Sequence, residues 1–158
     1  MTQTKPQIYL LLDNVRSMEN VGSIFRTADA AGIDKVILCG ITPKPPRKEI
    51  DKAALGAVDF VEWKYCNSTK SKIESLKQEG FEIIGIEQDK RSITYSNFKF
   101  DSAKIALILG SETDGINPEI LDLCDQILEI PMYGQKNSLN VSVCAGIILF
   151  ELKKVPPR

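Results

Sequence analysis

Three loops in this sequence carry polar side chains of the kinds that bind ligands and take part in reactions. They cover residues 13–20, 110–115 and 131–140, and each follows a short apolar run. The polar and flexible residues of the third loop are Gly134, Gln135, Lys136, Asn137, Ser138 and Asn140. This loop leads into a predicted final helix. Because the first N–H groups of a helix have no partners within it, such a loop is a suitable ligand site.

The predicted final helix, within residues 139–152, is apolar on nearly all sides. A helix without a polar face must be covered on every side, and one sheet covers only part of it. Ser138, Ser142 and Gly146 recur every four residues, so one stripe is small enough for another backbone to approach closely. We therefore expect a second surface there, which in a symmetric dimer would be another copy of the chain.

The sequence contains no histidine. This excludes Ser-His-Asp and Cys-His catalytic arrangements and histidine metal sites. Any proton transfer must use a carboxylate, Lys, Tyr, Arg or solvent. The cysteines form no CxxC pair, so we interpret them as buried free thiols of a reducing cytosol rather than a metal or redox site. They are Cys39, Cys66, Cys124 and Cys144.

Asn20 and Gly32 are predicted as the N-cap and the C-terminal cap of a helix that carries Arg26. Arg26 lies almost opposite the apolar stripe of this helix. Its neighbours at helical spacing are small: Gly22, Ser23 and Ala30. Small residues around one arginine indicate that something packs closely there, although an ordinary exposed arginine is the alternative.

Strands and helices alternate along the chain, which predicts an α/β domain with a mostly parallel sheet and helices on both faces. The predicted strands are 8–12, 35–40, 60–65, 81–86, 104–109 and 126–130, and 104–109 is apolar throughout, as a central strand would be. Residues 87–101 are predicted as a loop that can contain a short turn of helix. In such sheets ligands bind beyond the carboxyl ends of the strands, where the three polar loops lie. No GxGxxG or GxxxxGK[ST] motif occurs, which argues against a common nucleotide site.

At 158 residues the chain is predicted to form one domain. It has 43% hydrophobic and 26% charged residues, and no run is long enough to span a membrane. The start lacks the pattern of a secretory signal, so we predict a cytoplasmic protein with no membrane partner. The net charge of −1 neither favours nor excludes a polyanion. A local basic group comprises Lys44, Arg47, Lys48 and Lys52, and ordinary solvated charge is its simplest interpretation.

Three segments together resemble the SpoU family, the tRNA/rRNA ribose 2′-O-methyltransferase branch of the SPOUT superfamily. They are NVGSIFRTADAAG at 20–32, LILGSETDGI at 107–116 and IPMYGQKNSLNVSVCAG at 130–146. Their order and spacing also match, and the similarity extends over essentially the whole chain. The auxiliary RNA-binding domain that often precedes the catalytic domain is absent, so residues 1–158 would be a single catalytic domain.

The resemblance implies a C-terminal trefoil knot, S-adenosylmethionine bound bent within it, a homodimer built at the knot and no metal. The catalytic residues that it implies are Asn20, Arg26, Glu112, Ser138 and Asn140. The cofactor-binding residues that it implies are Ile86, Glu87, Leu109, Gly110, Ile130, Met132, Ser138 and Leu139.

The implied activity is methyl transfer to a ribose 2′-hydroxyl, with Asn20 positioning Arg26. In the family this arginine is proposed to activate the hydroxyl. A guanidinium with a pKa above ~12 loses its proton at high cost, so we favour phosphate binding and stabilisation of alkoxide charge. Glu112 is either a loop acid near the substrate or an anchor for its loop. Ser138 and Asn140 would orient the cofactor or the ribose.

The implied partner is RNA, with tRNA favoured over rRNA. We predict that RNA binding uses Arg16, Arg26, Arg47 and Lys48. Two alternatives stay open: a catalytically silent knotted RNA-binding module, and a protein that binds an adenosine-containing ligand on an α/β sheet.

Overall fold

The computed structural model describes residues 5–154. Strands and helices alternate within this range. In chain order they are β1 (Gln7–Asp13), α1 (Met18–Ala31), β2 (Lys35–Cys39), α2 (Lys48–Ala54), β3 (Trp63–Cys66), α3 (Thr69–Gln78), β4 (Glu82–Ile86), β5 (Ile93–Thr94), β6 (Lys104–Leu109), α4 (Pro118–Leu121), β7 (Gln126–Glu129) and α5 (Val141–Leu152).

The strands form one sheet in the order β3-β2-β1-β6-β4-β7-β5, and every neighbouring pair is parallel. The predicted mostly parallel α/β sheet is therefore confirmed. β6 is the fourth of the seven strands, as its apolar sequence predicted. Because all strands run the same way, their carboxyl ends and the loops that follow lie along one edge, here called the carboxyl edge.

Alternate residues of each strand feed two separate cores, one on each face of the sheet. In β1, Leu10 and Leu12 pack with α1, α2 and α5, whereas Tyr9 and Leu11 pack with α3 and α4. Burial on both faces explains why the central strands are continuously apolar rather than alternating. The predicted helices on both faces are confirmed.

Three local predictions need correction. The N-cap of α1 is Ser17, whose Oγ accepts from Asn20 N–H at 3.2 Å, so Asn20 belongs to the first turn. The third strand starts at Trp63, because the N–H groups of Phe60 and Val61 donate to Ala57 O in a 3₁₀ turn. The predicted 87–101 loop contains the short strand β5, which pairs with β7, and its predicted short turn of helix is found at Tyr95–Asn97.

Gly22 brings α1 and α2 together. A Cβ at this position would lie 2.5 Å from Ile50 O and 2.7 Å from Ala53 Cβ, so only glycine allows this contact. The small size of this neighbour of Arg26 therefore serves packing within the chain. The prediction that something packs closely beside Arg26 is therefore confirmed at Gly22, where the neighbour is α2 of the same chain.

α5 packs against α1 and the sheet with one side. Its other side exposes Val143 and Phe150, seven residues apart, to 48% and 50%. This uncovered apolar side agrees with the expectation that one sheet cannot cover the helix. The trefoil knot stays a prediction of the family resemblance. Gln88 Nε2 donates to Asn137 O at 2.6 Å, which links the β4–β5 connection to the segment entering α5.

All four cysteines are free thiols, and Cys39 is buried as predicted while the other three are half-buried. Cys39 and Cys66 are register partners on β2 and β3, with their sulfur atoms 3.1 Å apart. Within residues 5–154 no group of three or more Cys, Asp or Glu side chains is arranged to hold a metal ion. No helix in that range is long and apolar enough to cross a lipid bilayer.

Candidate active site at the carboxyl edge

A cleft of about 540 Å³ lies where β4, β6 and β7 end and α5 begins. Every residue that was predicted to bind the cofactor lines it: Ile86, Glu87, Leu109, Gly110, Ile130, Met132, Ser138 and Leu139. Of the predicted catalytic residues, Glu112, Ser138 and Asn140 also line it. The cleft therefore joins residues that are far apart in the sequence.

The Glu112 carboxylate connects the loop after β6 to the start of α1. Its Oε2 accepts from Arg16 N–H at 3.0 Å, and its Oε1 accepts from Ser17 N–H and Asn20 Nδ2, each at 3.0 Å. Asn20 Oδ1 in turn accepts from Asn140 Nδ2 at 3.2 Å. Three of the predicted catalytic residues thus form one hydrogen-bonded chain beside the cleft.

Burial alone would raise the pKa of Glu112. The hydrogen bonds from Arg16 N–H, Asn20 and Ser17 N–H outweigh burial and lower this pKa below its ordinary value. Glu112 is therefore charged at neutral pH, and both its oxygens are occupied by donors. This arrangement favours the anchor role over that of an acid or base near the substrate.

Glu87 holds the same β6 loop from the other side. Its Oε2 accepts from Ile116 N–H at 2.9 Å. The loop itself closes through two hydrogen bonds between Ser111 and Gly115. A Cβ on Gly110 would lie 2.2 Å from the carbonyl carbon of Gly115, so the turn requires glycine there. The loop's shape is therefore fixed before any ligand binds.

The segment 131–139 leaves its backbone available to a ligand. Among the described residues, one backbone group of this segment has a hydrogen-bond partner, namely Asn137 O, and the others have none. The cleft walls are apolar at Ile86, Leu109 and Ile130, which suits a flat aromatic ring. Four carboxylates also line the cleft: Glu87, Glu112, Asp114 and Glu129.

Such a cleft fits S-adenosylmethionine. An adenine ring needs an apolar slot with backbone groups at its edge, and the positively charged sulfur and amino group need nearby negative charge. The cleft has both. The same carboxylates oppose the binding of a polyanion inside it, because they would repel phosphate groups.

Asn140 has two structural roles. It is the N-cap of α5, since its Oδ1 accepts from Ser142 N–H at 2.8 Å. Its Nδ2 donates to Asn20, as described above. Loss of Asn140 would therefore affect both the end of the helix and the hydrogen-bonded chain.

The predicted RNA-binding residues are exposed at several places along the carboxyl edge and on α1. Arg16 lies beside the cleft, 3.4 Å from Asp114. Arg26 is exposed on α1 and does not line the cleft of its own chain. Arg47 precedes α2, and Lys48 is its first residue. The structure thus brings together every predicted catalytic residue except Arg26.

Sequence reasoning missed residues in two places. Residues that line the cleft but were not predicted include Gln88, Asp114, Glu129 and Cys144. The first three lie within two residues of a predicted one, and Cys144 lies four residues after Asn140. A second cleft of about 340 Å³ was not predicted. It is lined by Gly40, Ile41, Thr42, Pro43, Lys44, Arg47 and Tyr65. Its only sequence signal was the basic group that includes Lys44 and Arg47.

Comparison with known proteins identifies the same family over most of the chain. The profile of the SpoU rRNA Methylase family matches residues 7–150. A putative TrmH family tRNA/rRNA methyltransferase of Staphylococcus aureus is 36% identical over 143 residues, which are 90% of this chain and 57% of that protein. The chain therefore spans little more than half the length of this relative.

Two solved structures are similar in fold and sequence. The AdoMet-bound rRNA methyltransferase from Sinorhizobium meliloti has a TM-score of 0.90 and 30% identity, over 98% of this chain and 58% of that one. The A. aeolicus TrmH/SpoU tRNA modifying enzyme has a TM-score of 0.85 and 30% identity, over 95% of this chain and 75% of that one.

We expect Glu112→Gln to lower the free energy of unfolding near neutral pH by about 1 kcal/mol, allowing for solvent screening of an exposed carboxylate. A lowered pKa means that the charged form is stabilised by folding. This contribution is fully present at pH values above 4.5, the ordinary pKa of the carboxyl group. It is lost as the pH falls through the lowered pKa. Urea unfolding across this pH range measures the difference between the variant and the wild type.

The matched control is Glu74→Gln on the exposed face of α3. It should leave the unfolding free energy nearly unchanged at every pH. If Glu112→Gln lowered the unfolding free energy by the same amount well below pH 4.5, the assignment of Glu112 as a charged anchor would be contradicted.

Proposed function

The chain belongs to the SpoU rRNA methylase family, and we propose that it transfers a methyl group from S-adenosylmethionine to a ribose 2′-hydroxyl of tRNA or rRNA. One observation supports this most strongly. Asn20, Glu112 and Asn140 each come from a different one of the three characteristic segments, and hydrogen bonds join them beside one cleft. The similarity to the TrmH family relative of Staphylococcus aureus and to the rRNA methyltransferase of Sinorhizobium meliloti also supports this proposal.

The cleft residues would hold the cofactor between apolar walls and backbone groups. S-adenosylmethionine supplies a methyl group on a positively charged sulfur, which the 2′-oxygen attacks in line. Ile86, Leu109 and Ile130 would contact the adenine, and the free backbone of 131–139 would bind its edge. Ser138 would orient the ribose or the cofactor. Alignment and exclusion of water are the main contributions that such a site can make.

The 2′-hydroxyl must lose its proton as the oxygen attacks. Glu112 is a poor acceptor, because both oxygens already accept hydrogen bonds from the β1–α1 connection. We assign Arg26 the role of binding the adjacent phosphate and stabilising negative charge on the oxygen, with solvent or phosphate taking the proton. A guanidinium can do this without losing its own proton.

Incubation with methyl-labelled S-adenosylmethionine and unmodified tRNA or rRNA transcripts should label the RNA. A ribose 2′-O-methyl group blocks attack of that oxygen on the next phosphate, so alkali should release the label in a dinucleotide. Label in a mononucleotide would place the methyl group on a base and contradict the 2′-O assignment. Tight cofactor binding without any labelled RNA would favour a catalytically silent RNA-binding module.

We expect Asn140→Ala to reduce methyl transfer by orders of magnitude and to cost about 1 kcal/mol of stability, the usual contribution of a helix cap. Asn140→Ser separates these effects, because serine keeps the cap but cannot reach Asn20. The serine variant should melt at nearly the wild-type temperature but should transfer methyl groups slowly, as Asn140→Ala does. If it turned over normally while Asn140→Ala only melted earlier, capping alone would explain Asn140.

The exposed apolar side of α5 supports a homodimer. Val143 and Phe150 are half exposed in the single chain, and a second copy would cover them in a symmetric interface. Arg26 is absent from the cleft of its own chain, although the family places it in catalysis. We infer that Arg26 of one protomer acts at the cleft of its partner.

Mixing two inactive variants, Arg26→Ala and Asn140→Ala, tests the shared site. In each mixed dimer, one site combines a normal cleft with a normal Arg26 from the other chain. Random exchange makes half of the dimers mixed, so activity should return to roughly a quarter of wild type. Continued inactivity after exchange has been verified by mass spectrometry would contradict the shared site.

A further inference from the structure

The second cleft lies at the carboxyl edge, beyond the ends of β2 and β3. It has a volume of about 340 Å³ and is lined by the segment after β2 and by Tyr65 of β3. The first cleft, which is proposed to hold S-adenosylmethionine and is called the cofactor cleft below, shares none of these lining residues. The connection between β1 and α1, which carries Arg16, follows the strand that lies between β2 and β6.

The walls of this cleft are held by hydrogen bonds within the chain. Tyr65 O–H donates to Gly40 O at 2.7 Å, and Ile41 N–H donates to Asn14 Oδ1 at 2.9 Å. The Thr42 hydroxyl is buried and lies 3.0 Å from Leu12 O and 2.8 Å from Cys39 O. The cleft is therefore formed before a ligand arrives.

The charge of this cleft is opposite to that of the cofactor cleft. Lys44 and Arg47 line it, and its lining contains no carboxylate. Within the described residues neither cation forms a salt bridge, and the Arg47 side chain is exposed. Lys44 Nζ lies 4.4 Å from the centre of the Tyr65 ring, so an exposed aromatic face already attracts a positive group.

An aromatic face in one cleft with two cations that form no salt bridge within the described residues is a combination that binds single-stranded nucleic acid. A base stacks on the ring, and the cations bind the phosphates on either side of it. A base within a duplex is already stacked on both faces and cannot enter a pocket of this kind. The cofactor cleft cannot bind the strand in this way, because its carboxylates repel phosphate groups.

We propose that the second cleft binds one unpaired nucleotide of the RNA substrate, at the same carboxyl edge as the proposed site of methyl transfer. This proposal rests on the proposed function. The base stacks on Tyr65 and takes the place of the Lys44 ammonium, which then pairs with the phosphate of that nucleotide. Arg47 binds the neighbouring phosphate. The site selects RNA that is single-stranded beside its target.

Fluorescence anisotropy with a short labelled single-stranded RNA and its duplex tests the binding step alone. Tyr65→Leu should weaken binding of the single strand about tenfold, the effect expected for one lost stacking contact. Tyr65→Phe keeps the ring and should bind nearly as the wild type does. Lys44→Ala and Arg47→Ala should each reduce the salt dependence of log K by about 0.7.

Lys99→Ala is the matched control, because Lys99 is also exposed but lies outside both clefts. It should leave single-strand binding and its salt dependence nearly unchanged. Cofactor affinity measured by calorimetry should stay at the wild-type value in every variant, which shows that each one is folded.

A single strand containing 4-thiouridine gives a readout independent of affinity. Irradiation should attach it to the peptide that carries Tyr65 in the wild type, and not in Tyr65→Leu. Equal binding of single strand and duplex, or unchanged binding in both Tyr65→Leu and Lys44→Ala, would overturn the proposal. If the wild type bound the single strand through this cleft but transferred no methyl group, the proposed function would fail and the binding site would stand.

Discussion

One carboxylate fixes the relative positions of the loops on which the carboxyl edge depends. Glu112 follows β6, yet its three hydrogen-bond donors belong to the start of α1 after β1. The two strands are parallel neighbours, so the carboxylate spans a short gap. Bonds to an ionised acceptor are about twice as strong as neutral ones. Through Asn20 the connection continues to Asn140 at the start of α5, and the cleft keeps its shape.

Most of the fold could be predicted because its signals are local. The apolar run of β6 indicated a central strand, and Gly32 ends α1 in the left-handed conformation, as expected of a C-terminal cap. β5 could not be predicted, because its two residues are extended only by pairing with β7. Ser17 and Asn20 both suit an N-cap. Asn20 Nδ2 donates to Glu112, ninety-two residues away, and Asn20 Oδ1 accepts from Asn140, so the oxygen that could cap the helix is used elsewhere and Ser17 is the cap.

The residues that line the site could be predicted, but the contacts that they make could not. The residues that the family resemblance implied for cofactor binding all line one cleft, because they lie at or after strands that end side by side. Residue types alone could not show that both oxygens of Glu112 are occupied, which requires the approach of two distant loops. Gly22 illustrates the same limit. Its sequence position beside Arg26 indicated close packing, but only the fold shows that its neighbours are Ile50 and Ala53 of α2.

The two clefts carry opposite charges, which would affect how the proposed RNA substrate approaches the carboxyl edge. Carboxylates gather near β4, β6 and β7, and free cations gather beyond β2 and β3, while the net charge is only −1. Such a separation makes an electric dipole along the edge. A polyanion diffusing within a Debye length, about 10 Å at 0.1 M salt, experiences a torque before any contact forms. The proposed RNA substrate would therefore be drawn toward the basic cleft before it touches the protein.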